Sequence, residues 1–402
     1  MNAVLVDRQA EMKPADSTDF SLVLGGPLYQ LFLRSGLARP PLDLLRRRVL
    51  ALPLLTWLPL LVLSVLQGQA VAGVELPFLQ DLEAQARFLL ALPLLIVAEV
   101  VVHQRLAPAV RLFVEKGIVR PEDRKRFDAI LASTMRLRNS VAIEVVLIAF
   151  VLSAGHYLWQ EQLAIQADTW YATQTPQGLT WSLAGRCYAW FSLPVFQFIL
   201  IRWYYRILLW GQFLWRVSRL DLDLTPAHPD RSGGLGFLGT STYAFTPLLL
   251  GQSVVVSAMI AGRILHEGAQ LPAFKYEIAG ALVLALLQAL GPLLVFVPGL
   301  LAAKRRGLRD YGLLADRYVR EFDRKWLQGG AAPDEALVGT ADIQSLADLG
   351  NSFAVVREMR AVPFGNQTVL QLLLVTGLPM LPLGLTVFPL DELIRRVVGV
   401  LL

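Results

Sequence analysis

The 402 residues are 55% hydrophobic and only 17% charged, with a mean hydropathy of +0.50, which leaves too little polar surface for a water-soluble globule of this size. The formal charge of +5 does not mark a nucleic-acid partner, because the lysines and arginines gather beside apolar stretches, where anionic lipid headgroups retain them. Cys187 is the single cysteine, which excludes an intrachain disulfide, a cysteine-based zinc site and a two-cysteine haem attachment.

The first twenty or so residues are polar and carry neither a long apolar core nor a small-residue cleavage site, so no cleaved signal peptide is expected. Gly26 and Pro27 open a short stretch, 28–33, that suits an interfacial helix on the inner leaflet, with a loosely ordered tail as the alternative. Arg46, Arg47 and Arg48 precede the uncharged run 49–67, long enough as a helix to cross a hydrocarbon core of ~30 Å. Cationic flanks stay inside, so the N-terminus is expected in the cytoplasm. The segment 68–86 has acids but no lysine or arginine and reads as an outer loop. A second span, 87–103, returns to the basic segment 105–138, in which Pro121 opens a helix expected to continue unbroken into a third span, 140–158.

Trp159, Trp170, Tyr171 and Trp181 follow in an outer loop and are expected at headgroup level. The fourth span, 186–201, changes character through Arg202 and Arg206, so its helix must project into the cytoplasm, tilt or break at Gly211; projection is preferred. Spans five and six cover 246–265 and 278–303, the sixth kinked by Gly291-Pro292 and Pro298-Gly299. Residues 304–367 form a soluble region with an amphipathic helix reaching Gln328, then two shorter helices capped by Thr340 and Asn351. The stretch 369–390 is interrupted by Gly377, Pro379, Pro382 and Gly384 and is either a kinked crossing, slightly preferred, or a re-entrant hairpin. If it crosses, 391–402 becomes an amphipathic outer tail carrying Arg395 and Arg396.

The fold class is thus all-α, a polytopic transmembrane helix bundle of about seven spans with helical cytoplasmic extensions. Four parts follow: a cytoplasmic tail and interfacial helix (1–48), six spans (49–303) with cytoplasmic loops 104–139 and 211–245, a cytoplasmic helical region (304–367), and a last segment with its tail (368–402).

Glu99 and His103 stand four apart on one helix face, and Glu144 and Arg202 enter neighbouring spans at similar depth. Such a set can relay protons or coordinate a passing ion; it can equally form a structural ion-pair network, because ionisable groups at that depth pair with one another. Gln197, Gln252 and Gln288 line a polar path or bond helix to helix. His156 and His266 sit near outer span ends and need no further role. A second constellation lies in the loop after span four, where Asp221, Asp223, His228 and Asp230 precede Gly233 and Gly234. Its acids and imidazole could hold a divalent cation or do acid-base work, but a structured turn accounts for its prolines and glycines and is preferred. No motif for a nucleotide or another cofactor is present, so none is expected.

His228-Pro229-Asp230 with Gly233-Gly234-Leu235-Gly236, the run 342–349 and the run 359–364 resemble a family of uncharacterised bacterial multi-pass inner-membrane proteins. The resemblance implies a bacterial inner membrane and no particular activity. Three functions compete: a channel or transporter-like protein for an ion or small polar solute, a non-transporting scaffold or signalling component, and a lipid-active enzyme using Asp221, Asp223, His228 and Asp230. The expected partners are the lipid bilayer, further copies of the chain and a cytoplasmic protein at 304–367.

Overall fold

A computed structural model describes residues 20–36, 44–155, 168–175, 178–337 and 339–386. The polar start 1–19, His156, Trp159, and the tail 391–402 with Arg395 and Arg396 lie outside those residues. Among the described residues, six helical segments are long and apolar enough to span a membrane, and the protein is an integral, multi-pass, all-α membrane protein.

A short helix α1 (Pro27–Arg34) precedes α2 (Leu45–Leu66), the first span. The second, α3 (Leu82–Glu115), opens with a capping bond from Ala84 N to the Asp81 carboxylate and runs 34 residues. It therefore passes well beyond His103. After a turn with Pro121 at its first position come α4 (Arg124–Arg138) and α5 (Val141–Phe150), the latter continued by a π-turn, Val151–Gly155. The helix expected to pass from 121 into the third span is broken at Asn139 and Ser140, the backbone turning extended at Ser140. Just before the break, Arg138 donates to the Ser21 carbonyl of the N-terminal segment.

A two-stranded antiparallel hairpin, β1 (Ala172–Thr175) and β2 (Gly178–Trp181), stands where the sequence suggests only an irregular loop, with Thr173 facing Thr180 and their hydroxyls 2.9 Å apart. Trp170 is not at a lipid surface. It is fully buried against Phe78 and donates from Nε1 to Asp81 at 2.9 Å.

The fourth span belongs to α6 (Leu183–Val217), which does not break at Gly211; Pro292 lies beside that glycine, at ordinary contact distance from where a Cβ would stand. Its last turns pack Trp210 and Phe213 on Phe20, and Phe213 on Phe127, so the end that gathers the basic residues carries its own aromatic core. The fifth span is α7 (Phe237–Glu267). The sixth is α8 (Lys275–Leu290), a 3₁₀ stretch (Gly291–Phe296) at the expected kink, and α9 (Val297–Phe322), prolonged by a π-turn to Leu327.

From there α10 (Ala341–Arg357) folds back along α9, tied by Lys325 to Asp342 at 2.8 Å and Tyr318 Oη to the Asp342 carbonyl at 2.9 Å. Asn351 does not cap a second helix but lies inside α10, because packing along α9 outweighs its mild interior cost. Thr340 precedes the helix as expected, yet makes no side-chain cap.

The last described segment is α11 (Asn366–Gly377) followed by a 3₁₀ run, Leu378–Thr386. It runs beside α7: Ser253 bonds the Thr376 carbonyl, Ser257 bonds the Pro379 carbonyl at 2.7 Å, and Met380 and Leu383 pack with Ile260 and Phe274. This progression follows α7 towards its end. The described part is a crossing segment, without the turn-back of a hairpin.

Candidate functional site

Five ionised side chains converge at the basic end of the bundle. Glu99, on α3, accepts from Arg48 of α2 at 2.7 Å and from Arg206 of α6 at 2.9 Å, with Arg202 at 3.7 Å. Arg202 also pairs with Glu144 of α5 at 3.2 Å. All five are buried, and three guanidinium groups face two carboxylates. Burying charge is costly unless it is paired, so the surplus cation matters: Arg48 is 0% exposed, yet its Nε and second terminal nitrogen have no hydrogen-bond partner among the described residues. Arg206 lies 4.7 Å from the Trp203 ring centroid, and Trp203 is fixed by a bond from Nε1 to the Leu95 carbonyl at 3.0 Å.

The set is closed by the N-terminal segment. Glu144 accepts the Leu28 amide at 3.0 Å, Arg202 donates to the Gly25 carbonyl at 3.4 Å, and His103 sits 3.0 Å from the Ser21 hydroxyl. Phe20, Ser21, Leu22 and Val23 are buried, and Ser21 Oγ accepts the amides of Val23 and Leu24 in a local turn. Gly26 holds a φ of +87°, and an added Cβ there would lie 2.8 Å from a Glu144 oxygen. That backbone conformation favours glycine, and a side chain there would displace the Glu144 carboxylate.

The structure brings Glu99, Glu144 and Arg202 together, while His103 joins the N-terminal segment instead of the ion pairs. The sequence alone does not single out Arg48 or Arg206 as members of the set, nor the bond from Arg138 to the Ser21 carbonyl beside it. Arg206 carries a readable signal, since it falls four residues after Arg202 on one helix face. Arg48 is masked by its place in a basic triplet that also fits a purely topological role.

The glutamines lie apart from this set. Gln252 and Gln288 exchange two amide bonds at 3.0 and 3.1 Å, and Gln197 donates to the Gly155 carbonyl at 3.4 Å. Gln252 also lines a mainly apolar cavity of about 160 Å³ between α3, α6, α7 and α8. Leu95 walls both this cavity and a space of about 10 Å³ beside Glu99, Arg202 and Arg206.

In the loop after α6, the Asp230 carboxylate is occupied by its own backbone, accepting Ser232 N at 2.8 Å, Gly234 N at 3.2 Å and Gly236 N at 2.8 Å, with His228 Nδ1 at 2.9 Å. Burial alone would raise its pKa, but the three amides and the imidazole outweigh that and hold it below the ordinary carboxylate range. Gly233 and Gly234 have φ of +63° and +97°, the geometry the turn demands. Arg360 locks the loop by donating to the Asp230 carbonyl at 2.7 Å. Asp221 pairs with Arg120, and Asp223 N bonds the Ile118 carbonyl at 2.8 Å, so both belong to the 118–123 turn. Among the described residues, no three His, Cys, Asp or Glu side chains are grouped to hold a metal ion.

No protein-family model, curated protein or solved structure matches this chain.

Proposed function

We propose that the chain is a transport protein of a bacterial inner membrane, passing an ion or small polar solute and closed at its cytoplasmic, basic end by its own N-terminal segment. The observation that carries this reading is the convergence of Arg48, Arg202 and Arg206 on Glu99, with Glu144 and Arg202 gripping the backbone of 25–28. Ionisable groups within membrane bundles commonly mark solute paths, and this set holds a segment that can leave without unfolding a span. The position of Leu95, between the cavity that Gln252 lines and the charged set, supports a path interrupted at one side chain.

The test is flux of chloride, potassium and protons in proteoliposomes containing the wild type or Gly26→Val. Valine cannot hold the positive φ and strikes Glu144, so the variant is expected to release the segment and raise flux. Absence of flux for every ion in both proteins would overturn the reading.

A second reading, docking of a cytoplasmic protein, is favoured by one specific feature. The α9–α10 pair exposes Leu313, Leu314, Val319, Leu327 and Ile343. Capture of a defined partner that is lost on Leu314→Asp, with ion flux absent, would favour it.

A further inference from the structure

A second cavity adjoins the charged set. It measures about 460 Å³, within the range of small-molecule sites, and is walled by Phe32, Leu52, Ile148, Trp190, Phe198 and Ile199. Its walls run away from the basic end: Leu52 and Leu55 lie one and two turns beyond Arg48 on α2, Ile148 and Leu152 lie one and two turns beyond Glu144, and Trp190 to Ile199 precede Arg202. Ile148, Leu152, Trp190 and Phe191 are exposed on the face of the bundle, so the cavity opens sideways towards lipid. At its basic end, Leu28, Phe32, Leu52 and Ile199 also wall the space of about 10 Å³ beside Glu99, Arg202 and Arg206.

We propose that this cavity binds a single-chain anionic amphiphile, a long-chain fatty acid, with its acyl chain among the apolar walls and its carboxylate set against Arg202 and Arg206, which wall the connecting space. Three observations select that chemistry. The apolar volume opens to the bilayer, from which an acyl chain enters directly. Among the described residues the five buried ionised side chains carry one cation in excess, and Arg202 and Arg206 wall the connecting space, so one negative charge there balances the set. The space at the charged end admits about one water-sized group, which suits a carboxylate oxygen and is too small for a phosphodiester with its glycerol. Fatty-acid binding at this cavity does not depend on the transport reading.

Equilibrium binding of radiolabelled palmitate to the full-length protein in detergent tests it. Saturable binding of one palmitate per chain is expected, displaced by oleate but not by hexadecanol or methyl palmitate, which lack the charge. Val195→Trp, which fills the cavity, is expected to weaken binding about tenfold or more, and Leu55→Phe provides a second filling variant where the first fails to fold. Equal displacement by hexadecanol would reduce the site to a non-selective groove and overturn the proposal. Stronger displacement by phosphatidylglycerol than by oleate, absence of saturable binding, or unchanged binding in a folded filling variant would also overturn it.

Discussion

Glu99 is the residue on which the charged set depends, because it is the counter-charge for three guanidinium groups while Glu144 serves one and an amide. Removing one partner of a buried pair costs about 3–5 kcal/mol, since the other charge is stranded. Glu99→Gln is therefore expected to lower the thermal unfolding midpoint in detergent much more than Glu144→Gln does. Equal shifts would show that the arginines find other counter-charges. At Asp230 the sign of the pH effect follows from its depressed pKa: the carboxylate's contribution is complete above the ordinary carboxylate range and is lost as pH falls through the lowered value. Asp230→Ala is thus expected to destabilise the loop at neutral pH and to erase this acid-side loss, read from proton exchange of the 232–236 amides across pH. Glu99, Glu144 and Arg202 are legible in the sequence because ionisable groups stand out in apolar runs. The unpaired nitrogens of Arg48 are not, since pairing is a property of three dimensions.

At the scale of elements, one glycine decides how closely the soluble parts approach the bundle. An added Cβ at Gly307 on α9 would collide with Pro226 of the Asp230 loop and lie 2.9 Å from Val356 of α10, so loop, α9 and α10 meet at one residue without a side chain. Gly307→Val is expected to push α10 off α9 at a cost of about 1–3 kcal/mol, seen as faster proteolysis at 328–340. Unchanged proteolysis would mean that α10 is held mainly by Lys325 and Tyr318. The helices themselves are readable from hydropathy and charge, and the sixth-span kink from its Gly-Pro pairs. The Asn139–Ser140 break is not, since after Pro121 the stretch to 158 carries no proline or glycine before Gly155 to mark it. Asn351 misleads for the opposite reason: a good local cap signal is overridden by packing along α9.

Across the whole molecule, α2, α3, α5 and α6 deliver charged side chains to one side, and the N-terminal segment returns to that side to close on the charged set. By the charge rule, we propose that this end faces the cytoplasm. Single cysteines introduced at 120, 223 and 310 in a Cys187→Ser background are expected to react with an impermeant thiol reagent only in permeabilised cells. Labelling in intact spheroplasts would reverse the orientation.

The closure itself is tested most directly by linking Ser21→Cys to His103→Cys in that background with a reversible bifunctional thiol reagent, since the native side chains lie 3.0 Å apart. Flux in proteoliposomes is then followed before linking, after linking and after reduction. Linking is expected to suppress flux and reduction to restore it, while each single-cysteine protein treated in the same way remains unaffected. Undiminished flux through fully linked protein would contradict closure by the N-terminal segment.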